Sequence, residues 1–257
     1  MKPRPRETPA REEPTEAVYG LRAALAVFEV RRDDIVRVAC AEDARAEAAA
    51  LLRWTAAEKV PTKMSDDREL TRLAGSEHHE GLCVVTRPRR WTSPNAFADL
   101  LVRKGGTAVA MDRVRNPYNI GAVLRSAAFF GVDGAILGSQ APHPALAPMA
   151  VRVAEGGVEH LAMTRTTDLA DTLTRLRARG IRVVGAEADG AVPLSRYAFA
   201  RPTVLVMGHE REGLSERVRA LCDARVAITG SGAVESLNVA VAAGVMIAAL
   251  VGDRASG

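Results

Sequence analysis

Hydrophobic and polar positions fall into two regimes along the chain. Up to Thr86 the pattern is amphipathic and mixed. Leu21, Leu25 and Phe28 share one face over Val18–Glu29 and predict a helix. Ile35–Ala39 predicts a short strand, and Glu42–Thr55 a helix rich in Ala and Glu with Leu51, Leu52 and Trp54 near its end. Pro61 breaks the chain before another strand or helix. Asp66–Ala74 reads as a helix stopped by Gly75, and Leu82–Thr86 as a strand. Residues 17–86 thus form a small α/β unit. Residues 87–106, with Pro88, Pro94, Gly105, Gly106 and basic side chains at Arg87, Arg89, Arg90, Arg103 and Lys104, read as the linker to a second domain.

From Thr107 short apolar runs alternate with helical patterns. Strands are expected at Thr107–Met111, Gly134–Leu137, Leu161–Thr164, Ile181–Ala186, Thr203–Met207 and Ala224–Thr229. Helices are expected at Ile120–Phe130, Leu146–Ala154, Leu169–Arg179 and Leu214–Cys222. Near-continuous apolar strands interleaved with helices predict an α/β domain over 107–257, built on a parallel sheet covered on both faces. Ligands of such sheets bind beyond the carboxyl ends of the strands. The closing run Val239–Val251 is entirely apolar or glycine and predicts a helix buried on all sides. With Leu237 it reaches about 15 residues, short of the roughly 20 that span a bilayer.

Composition narrows the picture modestly. The chain has 257 residues, 47% of them hydrophobic and only 4% aromatic, so its core is built from Ala, Val and Leu. The net charge of +4 permits a polyanionic partner without requiring one, and the excess is spread evenly along the chain. Cys40, Cys83 and Cys222 are odd in number and far apart, which fits reduced, mostly buried thiols rather than disulfides or a metal site. No apolar signal region or membrane span is apparent, and a cytoplasmic protein is expected. Residues 1–16, Pro-rich and charged, read as a disordered tail whose Lys2, Arg4 and Arg6 are solvated. Arg89-Arg90-Trp91 could meet RNA, but a basic linker beside one partly buried Trp is the commoner arrangement.

Three strand exits carry the polar chemistry. After Met111 comes Asp112-Arg113-Val114-Arg115-Asn116-Pro117-Tyr118-Asn119-Ile120-Gly121, then a helix bearing Arg125. After Met207 comes Gly208-His209-Glu210-Arg211-Glu212-Gly213, where two glycines allow close backbone approach and Glu210 occupies the bend. After Thr229 comes Gly230-Ser231-Gly232, then Glu235-Ser236-Leu237-Asn238 at the start of the closing helix. Ser236 and Asn238 can cap that helix or meet an electron-rich ligand there. The glycines at 230 and 232 imitate a dinucleotide fingerprint. Glu235 replaces its third glycine, however, and no later strand supplies the ribose-binding acid.

These segments resemble the three motifs of the SpoU (TrmH-type) family of RNA ribose 2′-O-methyltransferases, in the SPOUT superfamily. Asn119-Ile-Gly-Ala-Val-Leu-Arg125 is similar to the first motif, Val206-Met-Gly-His-Glu210-Arg-Glu-Gly213 to the second, and Glu235-Ser236-Leu-Asn238-Val-Ala-Val-Ala to the third. Val18-Tyr19-Gly20-Leu21 resembles the usual start of the family's substrate-binding domain, itself like certain large-subunit ribosomal proteins. The resemblance implies a C-terminal SPOUT domain with a trefoil knot, S-adenosyl-L-methionine as cofactor, a homodimer, and structured rRNA or tRNA as substrate. It implies no metal and no membrane partner. Its catalytic set would be Arg125, Asn119, Glu210, Ser236 and Asn238. Glu210 would hold Arg125 or Asn119, and Ser236 would position Arg125, a phosphate or the ribose. The cofactor would be held by Met207, Gly208, Gly213, Ile228, Gly230, Gly232, Ser236 and Leu237, largely through backbone. Two stretches depart from many relatives. Thr229-Gly230-Ser231-Gly232 stands where Pro-Met is common, and Ala154-Glu155-Gly156-Gly157 where Ser-Ala-Gly-Ala is common. Neither is expected to touch the polar catalytic set. A catalytically idle RNA-binding protein of the same fold is the rival reading.

Overall fold

Two sheets organise the chain in a computed structural model that describes residues 14–138, 146–187 and 192–252. Of the tail reading over 1–16, residues 1–13 lie outside the described residues, and Glu16 already belongs to the first strand, paired with Thr86. The first sheet has the order β1 (Glu16–Tyr19), β4 (Leu82–Thr86), β2 (Ile35–Cys40), β3 (Thr62–Met64). Helices α1 (Leu21–Arg31), α2 (Ala49–Ala57) and α3 (Asp67–Ala74) complete this unit. β4 is antiparallel to both β1 and β2, whereas β2 and β3 run parallel. Val18 and Tyr19 are therefore strand residues, not the first turn of a helix. Gly20, at φ 92°, breaks the chain between them and α1. Residues 43–48 form turns, so α2 starts later than its Ala-rich composition suggests.

The second sheet has seven strands, all parallel, in the order β7 (Ala162–Thr166), β6 (Gly134–Gly138), β5 (Thr107–Met111), β10 (Thr203–Met207), β8 (Arg182–Ala186), β11 (Ala224–Ala227), β9 (Val192–Pro193). The very short β9 has no counterpart in the sequence-based assignment. Side chains of the central strands alternate between two cores. Val109, Met111, Leu205 and Met207 face the core with α5 (Pro117–Phe129) and α9 (Val239–Val251). Ala108, Ala110, Val204 and Val206 face the core with α4 (Pro94–Lys104), α7 (Leu169–Arg177) and α8 (Glu216–Arg219). Burial on both faces is why these strands are apolar at every position after an initial threonine.

The expected linker contains α4. Ser93 caps it by accepting from the Ala96 N–H, Pro94 sits in its first turn, and Gly105 ends it in the left-handed region. Phe97, Ala98 and Leu101 bury its inner face. Pro94 and Gly105, two of the residues that suggested a linker, are the start and stop of a helix. Arg89 and Trp91 are structural as well. Arg89 is ion-paired in the interior with Glu159, and the Arg165 guanidinium lies 5.0 Å from the Trp91 ring centroid.

The final helix departs from expectation on one face. Ala243, Met246, Ile247 and Leu250 are buried, but Val241 and Val245, one turn apart, are 54% and 43% exposed. Phe129 on α5 is 82% exposed and Tyr118 53%. Among the described residues no helix is long and apolar enough to cross a membrane. Burial pushes the Cys83 thiol up to about 12 and the Cys222 thiol up to about 11, which keeps both protonated near neutrality.

α6 (Pro148–Val153) and the 3₁₀ turn Gly157–His160 join the two units. Val151 contributes to the N-terminal core, while Ala150, Ala154 and Val158 contribute to the C-terminal one. Arg152 donates to the His78 carbonyl at 2.7 Å and pairs with Glu80 at 2.7 Å. Glu159 receives Arg31 of α1 at 2.8 Å and Arg89 at 2.9 Å.

Candidate active site

β5 and β10 lie side by side and end in register, Met111 opposite Met207. The chain runs outward from β5 to β6 and β7, then returns through β8 to place β10 beside β5. This reversal of strand order is where open α/β sheets bind ligands. The first and second polar loops leave from these two ends. The third follows β11, two strands away.

Three side chains join the loops. Asn116 caps α5 by accepting from the Tyr118 N–H at 2.9 Å, which sets Asn119 in the helix's first turn. Asn119 Nδ2 donates to Glu210 Oε1 at 2.8 Å. Asn119 Oδ1 accepts from Asn238 Nδ2 at 3.1 Å. Asn238 Oδ1 in turn accepts from the Ala240 and Val241 N–H groups at 2.8 and 3.4 Å, capping α9. The bonds run in one direction, from the amino end of α9 through two amides to the Glu210 carboxylate. Of the two partners expected for Glu210, the structure gives it Asn119.

The second loop is pinned from within and from below. His209 and Gly213 exchange both backbone hydrogen bonds at 3.0 Å. A side chain at Gly208 would put its Cβ 2.4 Å from the Gly213 carbonyl carbon, so only glycine closes this turn. His209 Nδ1 accepts from the Arg211 N–H at 3.2 Å. Two residues that sequence reasoning did not select hold the loop to the sheet. Asp112 is buried and accepts from the Ser215 N–H at 2.6 Å, and its own N–H donates to the Met207 carbonyl at 2.8 Å. Arg113, at φ 61°, donates to the Gly213 carbonyl at 3.1 Å and pairs with Glu212. The available signal was a charged pair directly at a strand exit.

Arg125 stands apart from the trio. Its Nη1 lies 2.8 Å from Glu155 Oε1, and its side chain is 55% exposed. Glu155 belongs to a stretch expected to leave the catalytic set alone, so that expectation is corrected. Ser236 lies in the exposed run 229–238 and, among the described residues, makes no hydrogen bond to Arg125 or the trio.

The glycine-bearing loops leave room for a cofactor. Cβ atoms built at Gly213, Gly230 and Gly232 meet nothing within 4 Å, and residues 229–238 are exposed. Met207 and Gly208 are buried beside them, and Ile228 packs against the α5/α9 core. Free backbone at these exits fits a ligand held mainly by main-chain groups. Among the described residues no group of three or more His, Cys, Asp or Glu could hold a metal ion.

A parallel sheet whose exit loops are tethered side chain to side chain, beside a separate small sheet-and-helix unit, defines a two-unit α/β protein. The chain belongs to the SpoU rRNA methylase family, whose sequence profile matches residues 106–248. A second profile, RNA 2′-O ribose methyltransferase substrate binding, matches residues 17–92. An Escherichia coli O157:H7 protein named uncharacterized tRNA/rRNA methyltransferase YfiF is 35% identical over 233 residues, covering 90% of this chain and 66% of its own length. An uncharacterized tRNA/rRNA methyltransferase of Mycobacterium avium (strain 104) is 35% identical over 190 residues, 72% of this chain and 60% of its own. The chain therefore spans about 60–66% of the length of these curated relatives. The crystal structure of the SpoU methyltransferase AviRb from Streptomyces viridochromogenes, in complex with AdoMet, superposes with a TM-score of 0.78 at 26% identity. That superposition covers 95% of this chain and 92% of AviRb. An rRNA methyltransferase from Sinorhizobium meliloti shares the fold, with a TM-score of 0.77 at 23% identity over 93% of this chain and 88% of its own.

Proposed function

We propose that this protein methylates a ribose 2′-OH in structured rRNA or tRNA, in the cytoplasm, with S-adenosyl-L-methionine as methyl donor. The observation that carries the reading is the Glu210–Asn119–Asn238 chain, which ties the three motif loops together at the strand exits. The backbone around Met207–Gly208, Gly213, Ile228–Gly232 and Ser236–Leu237 would hold the cofactor. Bound there, it supplies a methyl already activated on a sulfonium, so the chain's own work is on the oxygen.

A ribose hydroxyl is a weak nucleophile, and negative charge builds on its oxygen as the proton leaves. A guanidinium stays cationic across the working pH range and cannot readily serve as base. Arg125 is therefore assigned the role of hydrogen-bonding and electrostatically stabilising that oxygen. Asn119 and Asn238, locked to each other and to Glu210, orient the ribose. Ser236, exposed at the amino end of α9, is free to meet the ribose or its phosphate.

The test is transfer of label from S-adenosyl-L-methionine to total RNA from a strain lacking the gene. Label recovered as a 2′-O-methyl nucleotide in one RNA class is the expected result. Label on a base would sink the ribose assignment. Cofactor binding with no transfer to free RNA or to ribosomal assembly intermediates would favour the idle RNA-binding reading.

The working unit is a homodimer. α5 and α9 pack together and leave Tyr118, Phe129, Val241 and Val245 exposed, apolar side chains suited to a second copy. Val245→Glu is expected to convert the dimer to a monomer in light scattering. A wild-type protein that is monomeric at tens of micromolar would refute the assembly.

A further inference from the structure

We propose that Glu155 is a positioning residue for Arg125, holding its guanidinium through one carboxylate oxygen while the other faces Arg22 of the N-terminal domain. The inference rests on the assignment of Arg125 made above. Glu155 Oε1 lies 2.8 Å from Arg125 Nη1, and Glu155 Oε2 lies 3.7 Å from Arg22 Nε. Arg22 is on α1, Arg125 on α5, and Glu155 sits between the two domains.

The backbone holds the carboxylate at that junction. A Cβ at Gly156 would lie 2.4 Å from the Ala26 side chain of α1. One at Gly157 would lie 3.2 Å from the Arg125 Cα itself. The two glycines thus let the main chain wedge between α1 and the turn of α5 that carries Arg125. Glu155, directly before them, has φ 45°, a region that a non-glycine residue enters at a cost. A glycine would be the easier residue for that backbone. A glutamate there is explained by what its side chain holds.

An arginine has several rotatable bonds and 55% of this side chain is open to solvent, so Arg125 is not oriented by packing alone. Glu155 reduces that freedom with a close ion pair. The pair leaves guanidinium donors unused, and these are available to a ribose oxygen. Because the carboxylate also meets α1, a shift of the N-terminal domain moves the anchor of Arg125. RNA seated on that domain is thereby coupled to the presentation of the catalytic cation.

Glu155→Gly separates this role from a structural one. The substitution relieves the positive φ and removes only partly exposed ion pairs, so the melting temperature is expected to hold or rise. The turnover number with saturating RNA is expected to fall about tenfold or more, with cofactor affinity unchanged, because a misplaced group costs rate without costing binding. Glu155→Gln, which keeps the shape but loses the charge, should fall in between. In an Arg125→Lys background the same Glu155→Gly change should cost far less than in wild type, since the anchored group has already changed. Full turnover in Glu155→Gly, or an equal loss in both backgrounds, would overturn the proposal. Full activity of Arg125→Ala would instead overturn the assignment of Arg125.

Discussion

Arg125→Ala is expected to lower methyl transfer by about a hundredfold to a thousandfold while leaving cofactor affinity and melting temperature near wild type. The size follows from the role. Removing one preorganised donor from a site of developing oxyanion charge costs on this scale, and the loss should appear in kcat because the contact is made to charge that forms only in the transition state. The fold should not suffer. The side chain is 55% exposed, and its partner Glu155 is one-third exposed and retains Arg22 nearby, so no buried charge is left unpaired. Arg125→Lys should retain part of the rate, because a cation remains but the planar fork does not. A loss of less than about tenfold on Arg125→Ala would remove this residue from the centre of the mechanism.

Glu159→Ala is expected to be strongly destabilising, by about 3–5 kcal/mol, the usual result of removing one partner from a buried ion pair. Glu159 is 3% exposed in its side chain, and Arg31 and Arg89 are 13% and 5% exposed. Without the carboxylate, two guanidinium groups would face each other with only the longer contacts of Arg31 to Asp34 at 3.8 Å and of Arg89 to Glu16 at 3.9 Å left to balance them. The damage should centre on the domain junction. Arg31 comes from α1, Arg89 from the segment after β4, and Glu159 from the turn after α6. Arg31 also donates to the Thr86 hydroxyl at 3.1 Å and the Arg87 carbonyl at 3.2 Å. Urea unfolding measures the loss, and a change under about 1 kcal/mol would show that the network is dispensable.

The same residue has a pH signature. Burial pushes the Glu159 carboxyl up, but the Arg31 hydrogen bond and the charges of Arg89 and Arg31 outweigh it and hold the group below its ordinary value of 4.5. A carboxyl whose folded value is depressed stabilises the protein above its unfolded pKa and loses that contribution as pH falls through the folded one. The stability difference between wild type and Glu159→Gln should therefore be constant above about pH 5 and shrink in more acid solution. A difference that stays flat down to pH 3 would contradict the assignment.

How much of this was legible beforehand varied with the kind of constraint. The strands Leu82–Thr86, Thr107–Met111 and Thr203–Met207 were readable to the residue, because burial on both faces leaves an unbroken apolar run between polar ends. The three polar loops were readable because a parallel sheet puts its chemistry at strand exits. Helix α4 was not, since Pro94 and Gly105 mark a helix's ends and an irregular linker equally well. The outer face of α9 was not either, because an apolar residue left exposed looks the same in sequence as one bound for the core. The Glu155–Arg125 pair and the Arg113 clamp depend on tertiary packing between residues 30 and 100 positions apart, which no local pattern encodes.

The hydrogen bonds that tie the polar trio span 91 and 119 residues of chain. No short segment can rehearse that geometry, because each bond closes a loop most of a domain long, and such closures form only once the intervening structure is in place. Asn119 waits on β10 for Glu210 and on α9 for Asn238. During refolding, catalytic competence should consequently emerge with the last kinetic phase, after helical signal and most tertiary burial have returned, and a partly folded chain should hold no partial activity.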